Sequence, residues 1–167
     1  HPSVKEAVLC EIDEHVIRLS KKHLPALASS LDDPRVKIVC EDGAKYVKDH
    51  KDSFDIILVD SSDPIGPATV LFSEEFYASM HKALRDGGIA ATQSESFFYH
   101  GDIVHTLTGY AKKLFPVPGY YFTVVPTYPS GIIGFTFCSK KYHPLKDIDE
   151  TRIAKMQPEL HYYNPAI

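Results

Sequence analysis

The sequence contains no G-x-G-x-x-G stretch and no G-x-x-x-x-G-K-[ST] loop, and its only Gly-Gly pair is Gly87-Gly88. A nucleotide phosphate therefore finds no cradle of backbone amides in this chain. Either the ligand is not a nucleotide, or the strand and loop that hold it lie before His1. Metal-ligand spacings are lacking too. None of the nine histidines has an H-x-x-x-H partner, and the three cysteines form no C-x-x-C. No metal site is expected. Cys10, Cys40 and Cys138 are odd in number, far apart and set in apolar stretches. That pattern predicts buried, reduced thiols in a cytoplasmic protein. No run of Lys or Arg exceeds two residues and the net charge is -4, which speaks against nucleic acid and anionic membranes as partners. No apolar run is long enough to span a membrane, and no signal peptide is seen. The mild acidic excess suits a cationic partner.

What is present is enough apolar material for a core, 44% of 167 residues, in short runs alternating with amphipathic stretches. This alternation predicts an α/β domain with parallel strands. Strands are expected at 7–12, 36–40, 54–59 and 89–93. The run 54–59 (FDIILV) has the composition of a buried strand. Helices are expected from an Asp13 cap to about Leu24, over 43–50, from a Ser73 cap to Gly87-Gly88, and from an Asp102 cap to about Phe115. Phe76, Tyr77, Met80, Ala83 and Leu84 form the inward stripe of the third. The last two strands, 120–125 and 133–139, are joined by too short a link for a parallel crossover and should pair antiparallel.

In an open α/β sheet, ligands bind beyond the carboxyl ends of the parallel strands. Four consecutive strands end there in polar residues: Glu11 with Asp13, Glu41 with Asp42, Asp60 with Asp63, and Gln93. Asp13 is explained as a helix cap. Asp42 fits a cap and a ligand equally. Glu11 is not needed as a cap, and an acid at this position can clasp both hydroxyls of a ribose. Asp60 and Asp63 stand about ten residues ahead of the next helix, on a loop stiffened by Pro64 and Pro67. Two acids held close repel unless a cation or a shared proton lies between them. A cationic substrate would relieve that repulsion.

The stretches EID (11–13), DG (42–43), DSSDPIGPA (60–68) and PTYPSGIIGF (126–135) together resemble the spermidine synthases, the aminopropyltransferases of polyamine synthesis. The resemblance runs over nearly the whole chain. It implies a Rossmann-like, S-adenosylmethionine-methyltransferase-type fold: a mostly parallel sheet with an antiparallel C-terminal strand pair. It also implies putrescine and decarboxylated S-adenosylmethionine as substrates. The latter is a co-substrate, so no cofactor is expected. By the resemblance, Glu11 holds the ribose diol, Asp42 and Gly43 contact the adenine amine, and Pro67 and Ala68 form part of the adenine wall. Asp60 is the catalytic base and Asp63 holds an amine of the diamine. Gln93 and Tyr128 line the adenosyl and diamine pockets. The whole protein is expected to be a homodimer or homotetramer.

Members of the family carry a small N-terminal β domain and a glycine-rich loop, neither of which lies within this sequence. Residues 1–167 are therefore expected to be a partial Rossmann-like catalytic domain, a piece of a longer protein. The absent strand would sit mid-sheet and leave its neighbours' edges open. Relatives often carry a Trp near SESFFYH; here Phe97 or Phe98 takes its place. Two other functions fit the same acids: putrescine N-methylation from S-adenosylmethionine, and polyamine binding without turnover. A dehydrogenase lacks its phosphate loop.

Overall fold

The structure, a computed structural model, describes residues 2–156. Strand β1 (Ala7–Cys10) is followed by α1 (Glu14–His23), the short α2 (Pro25–Ala28) and β2 (Val36–Val39). Then come α3 (Gly43–Asp49), β3 (Phe54–Val59), a 3-10 helix over Gly66–Phe72, and α4 (Glu74–Ala83). The chain continues through β4 (Leu84–Gln93), α5 (Gly101–Leu114), β5 (Val117–Val124), β6 (Ile132–Ser139) and α6 (Glu150–Met156).

The helix starts follow their sequence signals. Asp13 caps α1, its Oδ1 accepting from the His15 amide at 2.8 Å. Ser73 caps α4, its Oγ accepting from the Phe76 amide at 3.2 Å. Glu74 and Glu75 occupy the first turn of α4, where the helix dipole favours acids. Below that turn α4 buries Phe76, Tyr77, Met80 and Ala83. They pack with Ile57, Leu84, Ala90, Leu107, Ala111, Phe115 and Cys138 into the main core. The Tyr77 hydroxyl stays satisfied inside it, 2.7 Å from Thr92 Oγ1.

The strands form two sheets. β1 and β2 pair parallel, Cys10 opposite Val39. The second sheet has the order β3-β4-β6-β5. β3 and β4 run parallel, with Val59 opposite Thr92. β6 is antiparallel to both β4 and β5. The antiparallel C-terminal pair is as predicted, and Pro118 is tolerated because β5 lies on the sheet edge.

Several expectations need correction. Gly87-Gly88 does not end α4. That helix stops at Ala83, where the Leu84 amide bonds back to the Met80 carbonyl. The glycines lie inside β4, where pairing jumps from Phe54–Leu84 to Ile56–Ile89. The extra residues loop out through Gly87 at φ +74°, a conformation that favours glycine. Asp102 is not a cap. It sits in the first turn of α5, whose N-cap is His100, with no side-chain capping bond. Cys40 is exposed and Cys10 partly so; only Cys138 is a buried thiol, held up to about 12 by its burial. β3 is buried on one face only: Ile57 faces the core, while Ile56 and Leu58 are 62% and 75% exposed.

Candidate active site

Parallel pairing brings strand ends together in twos. At the β1–β2 end, the Glu11 amide bonds the Val39 carbonyl at 3.0 Å, so Glu11 leaves the sheet beside Cys40. Glu11 does have a local duty: its Oε1 accepts the Asp13 amide at 2.9 Å. Asp42 caps α3 through the Ala44 amide at 2.8 Å, so the capping explanation holds for it. Gly43 is the first residue of that helix. An open cavity of about 270 Å³ runs from Asp42 and Ala44 to Val70 and Phe76. Val70 of the 3-10 helix lines it across from the Asp42 turn, while Gly43 and, earlier in the 3-10 helix, Pro67 and Ala68 do not. The Lys48–Glu75 ion pair at 3.0 Å ties α3 to α4 along this cavity.

At the β3–β4 end, the register that sets Val59 against Thr92 brings Asp60 and Gln93 out as neighbours. Asp60 is exposed and, among the described residues, its carboxylate has no hydrogen-bond partner. That sets it apart from Asp13 and Asp42, both occupied as caps. Asp63 follows on the same loop, which tightens where the Ile65 amide meets the Asp63 carbonyl at 2.6 Å. A second cavity, about 170 Å³, opens between Pro64 and Phe72 on one side and Asp102, Ile103, Thr106 and Leu107 of α5 on the other.

The sequence prediction missed Glu95. It lies two residues past Gln93, only 7% exposed. Its backbone is held at φ +61°, a left-handed conformation uncommon for a side chain of this size. The Glu95 carbonyl accepts from the Gly134 amide at 3.0 Å and from the Tyr120 hydroxyl at 3.0 Å. Next to it, Ser94 Oγ and Thr136 Oγ1 are hydrogen-bonded inside the sheet. These bonds fix the backbone from which the Glu95 carboxyl projects. His100 Nδ1 lies 3.5 Å from Oε2, and Oε1 is buried with no hydrogen-bond partner. Burial, and then the nearby charge of Asp63, push the Glu95 carboxyl above the usual carboxylate range. The available signal was simple: Glu95 is an acid just beyond a strand's carboxyl end, the same rule that selected Asp60.

The remaining predicted residues are more dispersed. Tyr128 stands on the β5–β6 connection, 48% exposed, where its amide and carbonyl close the turn with Val125 and Gly131. Among the described residues no hydrogen bond joins its side chain to the acids. Phe97 and Phe98 are 41% and 66% exposed. The Phe97 ring meets Phe122 and Tyr120, at centroid distances of 5.6 and 6.4 Å. These rings form an apolar cluster around Tyr120, whose hydroxyl bonds the Glu95 carbonyl. Among the described residues no three His, Cys, Asp or Glu side chains are grouped to hold a metal ion, and no helix is long and apolar enough to cross a membrane.

Comparison with known proteins gives a consistent result. Residues 1–150 match the family described as the spermine/spermidine synthase domain. The polyamine aminopropyltransferase of Leptospira biflexa is 53% identical over all of this chain, which covers 59% of that protein. The polyamine aminopropyltransferase of Thermoanaerobacter sp. is 45% identical, with the same 59% covered. Among solved structures, a spermidine synthase in complex with the transition-state analogue AdoDATO superposes with a TM-score of 0.94 at 40% identity. The spermidine synthase from Thermotoga maritima gives 0.92 at 39%. Each alignment covers 99% of this chain, but 57% and 56% of the respective solved chains. The chain thus spans somewhat over half the length of the relatives it matches.

Proposed function

The chain belongs to the spermine/spermidine synthase domain family, and on that premise we propose that the protein carrying it transfers an aminopropyl group from decarboxylated S-adenosylmethionine to putrescine. The products are spermidine and methylthioadenosine. The observation that carries this reading is the Asp60–Asp63 loop: two carboxylates at a strand end, one of them without any structural partner.

The chemistry follows from the charges. Putrescine arrives as a dication, and an acidic rim attracts it. Its attacking nitrogen is protonated at neutral pH and has no free lone pair. Asp60 takes that proton as general base. The nitrogen then forms a bond to the aminopropyl carbon beside the sulfonium, and the carbon–sulfur bond breaks. The electron pair goes to sulfur, so methylthioadenosine leaves neutral and little charge needs stabilising on it. Positioning and exclusion of water supply most of the barrier reduction.

Asp63 holds an ammonium of the diamine, with Gln93 and Tyr128 lining the pockets. Glu11 holds the ribose diol through its second oxygen. Asp42, Gly43, Pro67 and Ala68 enclose the adenine. The support for this last assignment is the cavity that Asp42 shares with the 3-10 helix.

The test is product identity by mass spectrometry. The full-length protein is incubated with putrescine and either decarboxylated or ordinary S-adenosylmethionine. Spermidine from the decarboxylated donor alone is the expected result. N-methylputrescine from the ordinary donor would move the protein to methyl transfer.

A further inference from the structure

A group of hydroxyl side chains lies under the carboxyl end of β4: Tyr77 of α4, Thr92 and Ser94 at the end of β4, and Thr136 of β6. Each of these residues is at most 2% exposed. Buried hydroxyls are costly unless each finds a partner, and a fully satisfied network holds its members in one arrangement. Here the partners can be assigned. The Tyr77 hydroxyl and Thr92 Oγ1 are 2.7 Å apart. The single proton of Ser94 Oγ goes to the Thr92 carbonyl at 3.2 Å. Ser94 Oγ also accepts from the Thr136 amide at 3.0 Å. The bond between Ser94 Oγ and Thr136 Oγ1 is therefore donated by Thr136. Together these bonds tie α4, β4 and β6 to one another at one end of the sheet.

What stands on this end is the site. Thr92 pairs with Val59 on one side and with Thr136 on the other. The next residue along each parallel strand is a candidate site residue, Asp60 after Val59 and Gln93 after Thr92. Past Gln93 the pairing with β6 becomes irregular. The Ser94 amide bonds the Gly134 carbonyl at 2.9 Å, and the Gly134 amide bonds the Glu95 carbonyl at 3.0 Å. Two residues thus oppose one, a bulge, and Glu95 within it has φ +61°. A left-handed residue of this size persists only where its surroundings over-determine it. Ser94 Oγ supplies that constraint from below, because it bonds a backbone group on each strand of the Thr92–Thr136 pair.

We propose that Tyr77, Ser94 and Thr136 are positioning residues for the reaction: their buried hydroxyls lock the end of β4, and through it the placement of Gln93 and of Asp60 beside the reacting amine. The inference rests on the functional reading above and adds to it the support on which the proposed base depends. None of the hydroxyls acts on substrate directly. They act through geometry, and geometry counts most in the chemical step, where a small misplacement of a reacting group is costly. Losing one hydroxyl should therefore lower kcat. Substrate binding draws on contacts along both sheet ends, so each KM should change little. Because the hydroxyls form one network, two losses together should cost less than their sum.

The experiment measures kcat and both KM values for spermidine formation by the full-length protein, with a thermal melt of each variant alongside. Thr136→Val keeps the volume and loses the hydroxyl. Thr136→Ser keeps the hydroxyl and loses a methyl group, which leaves a small cavity. Tyr77→Phe loses the oxygen alone. At a temperature well below every Tm, kcat should fall about tenfold in Thr136→Val and in Tyr77→Phe, with each KM within about threefold of wild type. Thr136→Ser should keep kcat within about twofold of wild type although its Tm falls. Tyr77→Phe decides the matter if Thr136→Val does not fold. A wild-type kcat in the variants lacking a hydroxyl, or a kcat that simply follows Tm across the series, overturns the positioning role and leaves the functional reading intact. No spermidine from the wild type overturns both.

Discussion

Asp60 and Asp63 stand three residues apart on one loop, both exposed at the carboxyl end of β3. Asp63 is assigned to an ammonium of the diamine, so its removal should act on diamine binding more than on the nucleoside. Asp63→Ala is expected to raise the KM for putrescine at least tenfold, about 1.4 kcal/mol of lost binding, with a smaller change in the KM for the aminopropyl donor. Initial-rate kinetics with each substrate varied in turn will show the split, and equal effects on both would remove the ammonium assignment. Gly134 tests the support behind Glu95. A Cβ there would stand 1.8 Å from the Tyr120 hydroxyl and 2.5 Å from the Glu95 carbonyl. Gly134→Ala must push one of them away, and should destabilise the fold by about 1–3 kcal/mol, measurable by denaturant titration.

The caps and stripes of individual elements were the most legible part of the sequence. Asp13, Asp42 and Ser73 each precede a helix and each cap it, because a short polar side chain before an amphipathic run has one obvious use. Ser73→Ala should cost about 1 kcal/mol and lower Tm by roughly 2–4 °C, read from a thermal melt. What stayed hidden depended on pairing. Gly87-Gly88 has the composition of a helix terminator, yet it is a bulge, because β4 must shift register to follow β3. Asp102 precedes a helical pattern as Ser73 does, but the chain enters α5 two residues earlier, at His100. The Asp60 loop was visible from its acids and prolines alone. Glu95 was not selected, because its burial and its left-handed backbone arise from β6 and β5 closing over it, contacts far away in sequence.

At the level of the whole molecule, the sheet is divided. β3 ends one sheet and β1–β2 form another, and Ile56 and Leu58 lie exposed on the open face of that edge strand. Open apolar edges pair with other chains. The isolated 167-residue chain should therefore self-associate as its concentration rises, and Leu58→Lys should reduce this. Sedimentation velocity over a range of concentrations checks it; a monomer at all concentrations would show that the edge is covered. The same division sorts the candidate site, with Glu11 and Asp42 on one sheet's rim and Asp60, Asp63, Gln93 and Glu95 on the other. The proposed reaction needs both rims, since it assigns the donor's nucleoside to the first and the diamine to the second.

The central claim is that Asp60 accepts the proton of the attacking amine. The most direct measurement is single-turnover formation of spermidine by the full-length protein, wild type against Asp60→Asn, with both substrates bound to saturation. The expected result is a fall in rate of about 10²–10⁴ with binding of methylthioadenosine nearly unchanged. A rate close to wild type in Asp60→Asn would contradict the assignment and leave the loop as a binding element alone.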